Sequence, residues 1–318
     1  MVRVDQKRVS AFSEYLRRAG DVQPFDFCTA SEGVVFPNRN RRGVVDYFFF
    51  CTAHQFGFWY LKDGRYDRPA FSRVDGIEHK GSDFLSRCAT RAWLNDEGFF
   101  APDSLAKRSD TELSAVFSDD QGKNPLPMWE AHLDIARRYV EWFRARKTSP
   151  EAILNEANRS AAPLTAFLDR CADMPGYGED PLRKKLMLLA VILENRPERF
   201  LRVTDPEAFM PIIDYHLQRS ALRTGLVRVD DPSLREKLAA RREVTADEEK
   251  AVRDATFEAV RQLVRDSGRS VAAVDYFFFT NRRRCPEMTE PECAKCPVQP
   301  ICARETRLFQ PVLRTTYY

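Results

Sequence analysis

Long apolar runs are missing from this chain. The longest, Leu186–Leu193, is eight residues, against about 20 for a helix that spans a bilayer. The N-terminus, Met-Val-Arg-Val-Asp-Gln-Lys-Arg, lacks the apolar segment of a signal peptide. These two absences predict a cytoplasmic protein with no membrane partner. Tandem repeats and low-complexity segments are also missing, which excludes a repeat architecture. A strong charge excess is absent too: 50 Lys and Arg face 47 Asp and Glu, for a net charge of +3. Proteins that grip duplex phosphate usually carry a basic excess or a concentrated basic face, so this balance permits nucleic-acid binding without arguing for it. The basic clusters Arg39-Asn40-Arg41-Arg42 and Arg282-Arg283-Arg284 read first as solvated surface. Cys28, Cys51, Cys88 and Cys171 stand singly, which excludes a disulfide framework and fits a reducing compartment.

What is present is an ordinary globular composition, 43% hydrophobic and 31% charged over 318 residues, enough for one large domain or two modest ones. Helical periodicity dominates and predicts an all-α fold. Val9, Phe12, Tyr15 and Leu16 mark a first amphipathic helix over 6–19. The run from Val44 to Tyr60 is aromatic and mostly buried, and 64–81 reads as loop with room for a hairpin. Helices are expected at 82–95, 104–117, 128–147, 151–158, 163–172 and 182–194. Ser149-Pro150 is a helix start. Thr245-Ala-Asp-Glu248 is a capping box that opens a long helix ending at Gly268. The segments Val45–Phe50 and Val274–Phe279 echo each other, which reads as two apolar segments in one core.

Four cysteines fall within eighteen residues near the C-terminus: Cys285, Cys293, Cys296 and Cys302, spaced C-x7-C-x2-C-x5-C. Pro286, Pro291, Pro297 and Pro300 make a continuous helix or strand there unfavourable. Such a loop needs another means of support, and four thiolates around one metal centre provide it. Structural zinc usually takes two C-x2-C pairs, whereas this stretch has one. Four thiolates are equally the ligand set of a [4Fe-4S] cluster. A second signal is Met174-Pro175-Gly176-Tyr177-Gly178, followed by Asp214-Tyr215-His216-Leu217-Gln218-Arg219. Pro-Gly-x-Gly supplies the tight turn between two helices.

The cysteine stretch resembles the iron–sulfur loop of the endonuclease III and adenine glycosylase branch of the helix-hairpin-helix DNA glycosylases. That family's first interval is one residue shorter. The Pro-Gly-x-Gly turn resembles the same superfamily's hairpin, and Asp214, His216 and Arg219 match its Val-Asp-x-His-x-x-Arg segment, in which the Asp is catalytic. Lyase-competent members carry a Lys where this chain has Asp180, preceded by Glu179. The resemblance therefore implies hydrolysis without strand cleavage unless Lys184 or Lys185 takes over, and those two carboxylates would repel a DNA phosphate.

A second resemblance, over roughly 45–280, is to the queuosine salvage family, enzymes that release queuine from queuosine 5′-monophosphate. It rests on Ala53-His-Gln-Phe56-Gly-Phe58-Trp59, on 81–98, on Asn155-Glu-Ala-Asn158-Arg-Ser-Ala161, on Leu182-Arg-Lys184-Lys185 and on Asp214-Tyr215. The usual salvage proteins lack the cluster, and Gln55 replaces their Asn.

Together the resemblances imply an all-α, helix-hairpin-helix glycosylase-like fold of two helical lobes. One lobe would span 45–195. The other would combine 1–44 with 196–318 and carry Asp214 and a [4Fe-4S] cluster on the four cysteines. The implied activity is release of a modified purine or 7-deazaguanine base from a small nucleotide by a monomer. Asp214 would stabilise positive charge on the sugar or activate water. Phe56, Phe58 and Trp59 would stack on the base, at about 1–3 kcal/mol per contact. Lys184 or Lys185 would meet a 5′-phosphate, and Tyr215, His216 and His54 would bond within the pocket. The alternatives are a monofunctional DNA glycosylase acting on duplex DNA, and a non-enzymatic iron–sulfur nucleic-acid-binding protein in which Asp214 only caps a helix.

Overall fold

Capping residues and apolar periodicity divide the chain into helices at the points where the backbone can be satisfied locally. The computed structural model describes residues 1–20, 24–28 and 36–318. Among them are thirteen α-helices. The first six are α1 (Gln6–Arg18), α2 (Val44–Ala53), α3 (Ser82–Asn95), α4 (Pro102–Leu105), α5 (Asp110–Val116) and α6 (Trp129–Arg146). Then come α7 (Pro150–Ala157), α8 (Pro163–Arg170), α9 (Lys184–Asn195), α10 (Tyr215–Thr224), α11 (Pro232–Ala239), α12 (Ala246–Ser267) and α13 (Val271–Asn281). Six short strands accompany them: β1 (Val2–Val4), β2 (Trp59–Lys62), β3 (Arg65–Pro69), β4 (Phe71–Val74), β5 (Ile77–Lys80) and β6 (Val227–Val229). They form three two-stranded sheets, β1–β6, β2–β3 and β4–β5. The fold is mostly α, and no helix among the described residues is long and apolar enough to cross a membrane.

Where the chain signals its own starts, they are obeyed. Ser149 caps α7 with Pro150 in its first turn. The Thr245–Glu248 capping box opens α12, which Gly268 ends in the left-handed region at φ 70°. The helix expected over 104–117 is instead two, α4 and α5. Ser109 and Glu112 form a reciprocal capping box, so backbone donors are satisfied by starting a new helix there. The stretch 64–81, read mainly as loop, contributes β3 and the antiparallel pair β4–β5, in register from Phe71↔Lys80 to Val74↔Ile77.

The chain divides into two compact units. One comprises 1–25, 61–68 and 210–314; the other comprises 26–60, 69–209 and 315–318. The sequence division instead assigned 26–44, 196–209 and 315–318 to the lobe that carries Asp214, and 61–68 to the other. The two echoing segments do not share a core. Val274, Phe277 and Phe278 lie in the core of the first unit, while Val45–Phe50 belong to α2 in the second.

In the first unit α12 is the spine. Val252, Ala259, Val260 and Leu263 meet Val9, Phe12 and Leu16 of α1 and Leu217, Ala221 and Leu222 of α10 in one apolar cluster. β1 and β6 pair antiparallel, Val2 opposite Val229. In the second unit α2 is apolar on nearly every side, the pattern of a central helix; every residue from Val44 to Ala53 except Asp46 is buried. Tyr47 donates to the Ser86 carbonyl of α3 at 3.0 Å, and Phe49 meets Phe167 of α8 edge-on at 6.0 Å.

Candidate functional site

Asp214 ends an extended approach and caps α10. Its Oδ1 accepts from the Leu217 backbone N–H at 2.9 Å, while Oδ2 takes no hydrogen bond among the described residues. The residue before it is clamped: Ile213 is fully buried, and the Arg253 guanidinium of α12 donates to its carbonyl at 3.3 and 3.2 Å. A helix N-terminus favours an anion through its unpaired N–H groups and dipole. The result is a half-buried carboxylate with fixed backbone, one oxygen committed and the other uncommitted.

The next turn of α10 is polar and buried. The Tyr215 and His216 rings lie 4.1 Å apart. Arg219 donates from Nη2 to His216 Nδ1 at 2.9 Å and from Nη1 to Gln310 Oε1 at 2.8 Å. Burial, then the neighbouring Arg223 charge, lowers Arg219 to about 10, still well above neutral pH. Tyr66 donates to Glu287 Oε1, and burial pushes that carboxyl up to about 7 against the opposing pull of the nearby Gln310 amide.

One turn further along α10, Arg223 reaches the cysteine stretch. It donates from Nη1 to the Pro286 carbonyl at 2.7 Å and to Cys285 Sγ at 3.5 Å. All four cysteines, each half-buried, line one cavity of about 630 Å³ counted out to open solvent, together with Phe12, Phe277, Phe278 and the cationic Arg223, Arg284 and Arg304. The Arg304 backbone N–H donates to Cys302 Sγ at 3.3 Å. Burial raises the Cys302 thiol, that N–H opposes the rise, and the other three cysteines add to it. Residues 285–302 hold two three-residue 3₁₀ turns, at Cys293–Lys295 and Gln299–Ile301. Among the described residues no three His, Cys, Asp or Glu side chains are grouped for a single ion. Four soft sulfur donors around one cavity, with the Arg304 N–H and the Arg223 guanidinium donating to two of them, are chemically compatible with an anionic thiolate-bound group.

The other candidates from the sequence lie in the second unit. Gly176 turns the chain between α8 and α9 at φ 88°, and a Cβ there would stand 2.8 Å from the Ala53 Cβ. Gly178 is needed for another reason: a Cβ would lie 2.6 Å from the Ala172 carbonyl oxygen. The Gly176 N–H is taken by the Glu179 carboxylate, at 2.9 and 3.1 Å. Asp180 accepts from the Leu182 and Lys184 N–H groups at 3.0 and 2.8 Å, starting α9.

Phe56, Phe58 and Trp59 are all buried. Phe56 is stacked on His132, ring centroids 4.0 Å apart, and Lys185 Nζ stands 4.9 Å from its centroid. The Lys185 ammonium donates to the Ala53 carbonyl at 2.8 Å, and Lys184 is buried beside it in sequence. His54 and His132 share an Nδ1···Nδ1 hydrogen bond of 3.1 Å. Burial lowers both, His132 to about 3, so one ring donates and the other accepts as neutral imidazoles.

Burial lowers Lys185 from 10.5 to about 7. From about pH 7 up to the ordinary lysine range the unfolded chain binds a proton that the folded chain does not, so stability rises with pH there. Below pH 7 the cost of the buried ammonium is present in full. The urea midpoint is therefore expected to rise from pH 6.5 to 9, and Lys185→Met to flatten that rise.

Sequence reasoning passed over His132, Glu287, Gln310 and Arg223. His132 and Gln310 lie outside any motif, and nothing local marked them; Glu287 lies between Cys285 and Cys293 but has no ligand role in the cysteine spacing, and Arg223 was legible only as a site four residues beyond Arg219 on one helix face. No protein-family model matches this chain, and no curated protein matches it either.

Proposed function

We propose that this protein hydrolyses an N-glycosidic bond and releases a modified purine or 7-deazaguanine base, queuine-like, from a nucleotide. The observation that carries the reading is Asp214, a clamped N-cap carboxylate with one uncommitted oxygen, on a helix whose next turns bear His216, Arg219 and Arg223. As the C–N bond opens, its electron pair leaves with the base and positive charge develops on the sugar. A fixed carboxylate beside the sugar stabilises that charge without reorganisation. The same group orients a water whose oxygen adds to the sugar carbon and whose proton passes to the carboxylate or the departing base.

Cys285, Cys293, Cys296 and Cys302 would hold a [4Fe-4S] cluster, which supplies the cross-link that a proline-rich loop with two short turns lacks. Arg223 and the Arg304 N–H orient the ligand sulfurs.

The turn between α8 and α9 favours a small nucleotide over duplex DNA. The Gly176 N–H, a donor that would have to face a backbone phosphate, is already bonded to Glu179, and Asp180 adds a second carboxylate to the same turn. Mass-spectrometric detection of free base tests the proposal on queuosine 5′-monophosphate, queuosine and duplex DNA carrying a lesion panel. Release from the mononucleotide is expected. Release from duplex DNA alone would make the protein a monofunctional DNA glycosylase, and release from none would overturn the hydrolysis.

A further inference from the structure

A line of three buried polar side chains ends on the helix that Asp214 caps. Gln310 Oε1 accepts from Arg219 Nη1 at 2.8 Å, and Arg219 Nη2 meets His216 Nδ1 at 2.9 Å. Gln310, Arg219 and His216 are all buried, at 2, 2 and 8% exposure. The bonds between them fix their mutual orientation, while Gln310 Nε2 has no hydrogen-bond partner among the described residues.

The chemistry of each member fixes the next. A guanidinium has only donors, so His216 Nδ1 must carry the lone pair and Nε2 the proton. Arg219 in turn needs an acceptor at its other nitrogen, which only the oxygen end of the Gln310 amide supplies. That choice turns the Gln310 amino group away from Arg219.

We infer that Gln310 and Arg219 are a positioning relay that holds His216 as an Nε2–H donor two residues from Asp214. The inference rests on the proposed hydrolysis for its substrate, an acceptor atom on the departing base. That base gains electron density as the glycosidic bond opens, and a fixed donor is worth most at that moment.

The test compares Gln310→Met, which removes the acceptor for Arg219, with Gln310→Glu, which keeps one. The first readout is the tautomer of His216 from ¹⁵N NMR of the purified iron-loaded chain, its signals assigned by their loss in His216→Asn. Wild type should show the Nε2–H form, Gln310→Met a mixture of the two tautomers, and Gln310→Glu the wild-type form again. The second readout is base release, with kcat down roughly 100-fold in Gln310→Met through misplacement of one group, KM little changed, and recovery in Gln310→Glu. Where Gln310→Met does not fold, Arg219→Lys serves, since one ammonium on a flexible stem does not hold Gln310 and His216 together; the same tautomer mixing is expected. A wild-type tautomer in Gln310→Met or Arg219→Lys, or an Nδ1–H form in wild type, overturns the relay. If wild type releases no base while the tautomer follows this pattern, the relay stands and the hydrolysis falls.

Discussion

Replacing Asp214 with Asn is expected to slow base release by about 10³-fold while leaving the unfolding midpoint nearly unchanged. The two effects separate because Asp214 has two tasks. As N-cap it accepts the Leu217 N–H, and Asn caps a helix about as well as Asp. As a charge beside the sugar it has no neutral substitute. Asp214→Ala loses both tasks, and so should add roughly 1 kcal/mol of destabilisation to the same loss of rate. Free base measured by mass spectrometry and midpoints from urea melts decide the matter. An Asn variant with full activity, beside an Ala variant that is merely less stable, would reduce Asp214 to a cap.

The second large effect is expected at the cysteines. Purified without oxygen, the protein should be brown, absorb broadly near roughly 400 nm and carry about four irons per chain. Cys293→Ser should lose colour and iron together, and the melting temperature should drop by about 10 °C, because metal binding is coupled to folding. The segment then depends on a few protein contacts. Arg8 donates to the Ile301 carbonyl at 2.6 Å, the Ala303 N–H to the Thr224 carbonyl at 2.9 Å, and Val298 is buried. Proteolysis of that variant should begin within 285–302. Cys51→Ala, in the last turn of α2, is the control that keeps its iron. A colourless wild-type protein with one zinc per chain would replace the cluster with a single-ion site.

The two acidic residues after Gly178 gain meaning from their partners. Read along the chain, Glu179 and Asp180 are charges that a phosphate would avoid. In the fold they are also ligands of their own turn, one on the Gly176 N–H and the other at the start of α9. Lys185, a candidate phosphate ligand by position, spends its ammonium on the Ala53 carbonyl. Phe56, a candidate stacking face, already has His132 stacked on it.

By itself the sequence determined what depends on neighbours a few residues apart. The predominance of helix, the capping boxed start of α12 and its stop at Gly268, the Ser149-Pro150 start of α7 and the tight turn at Gly176 are all of this kind. So is the approach of the four cysteines to one cavity, because residues close in sequence need little chain entropy to converge. The break between α4 and α5 was also written locally, in Ser109 and Glu112. Only the tertiary structure decided which segments share a unit, since each unit is assembled from pieces far apart in the chain. It alone paired His54 with His132, 78 residues on, and Arg219 with Gln310, 91 residues on. Such pairs leave no periodic or spacing signal. They form because burial removes water from polar groups, and each must then find its partner wherever the packed core brings one within reach.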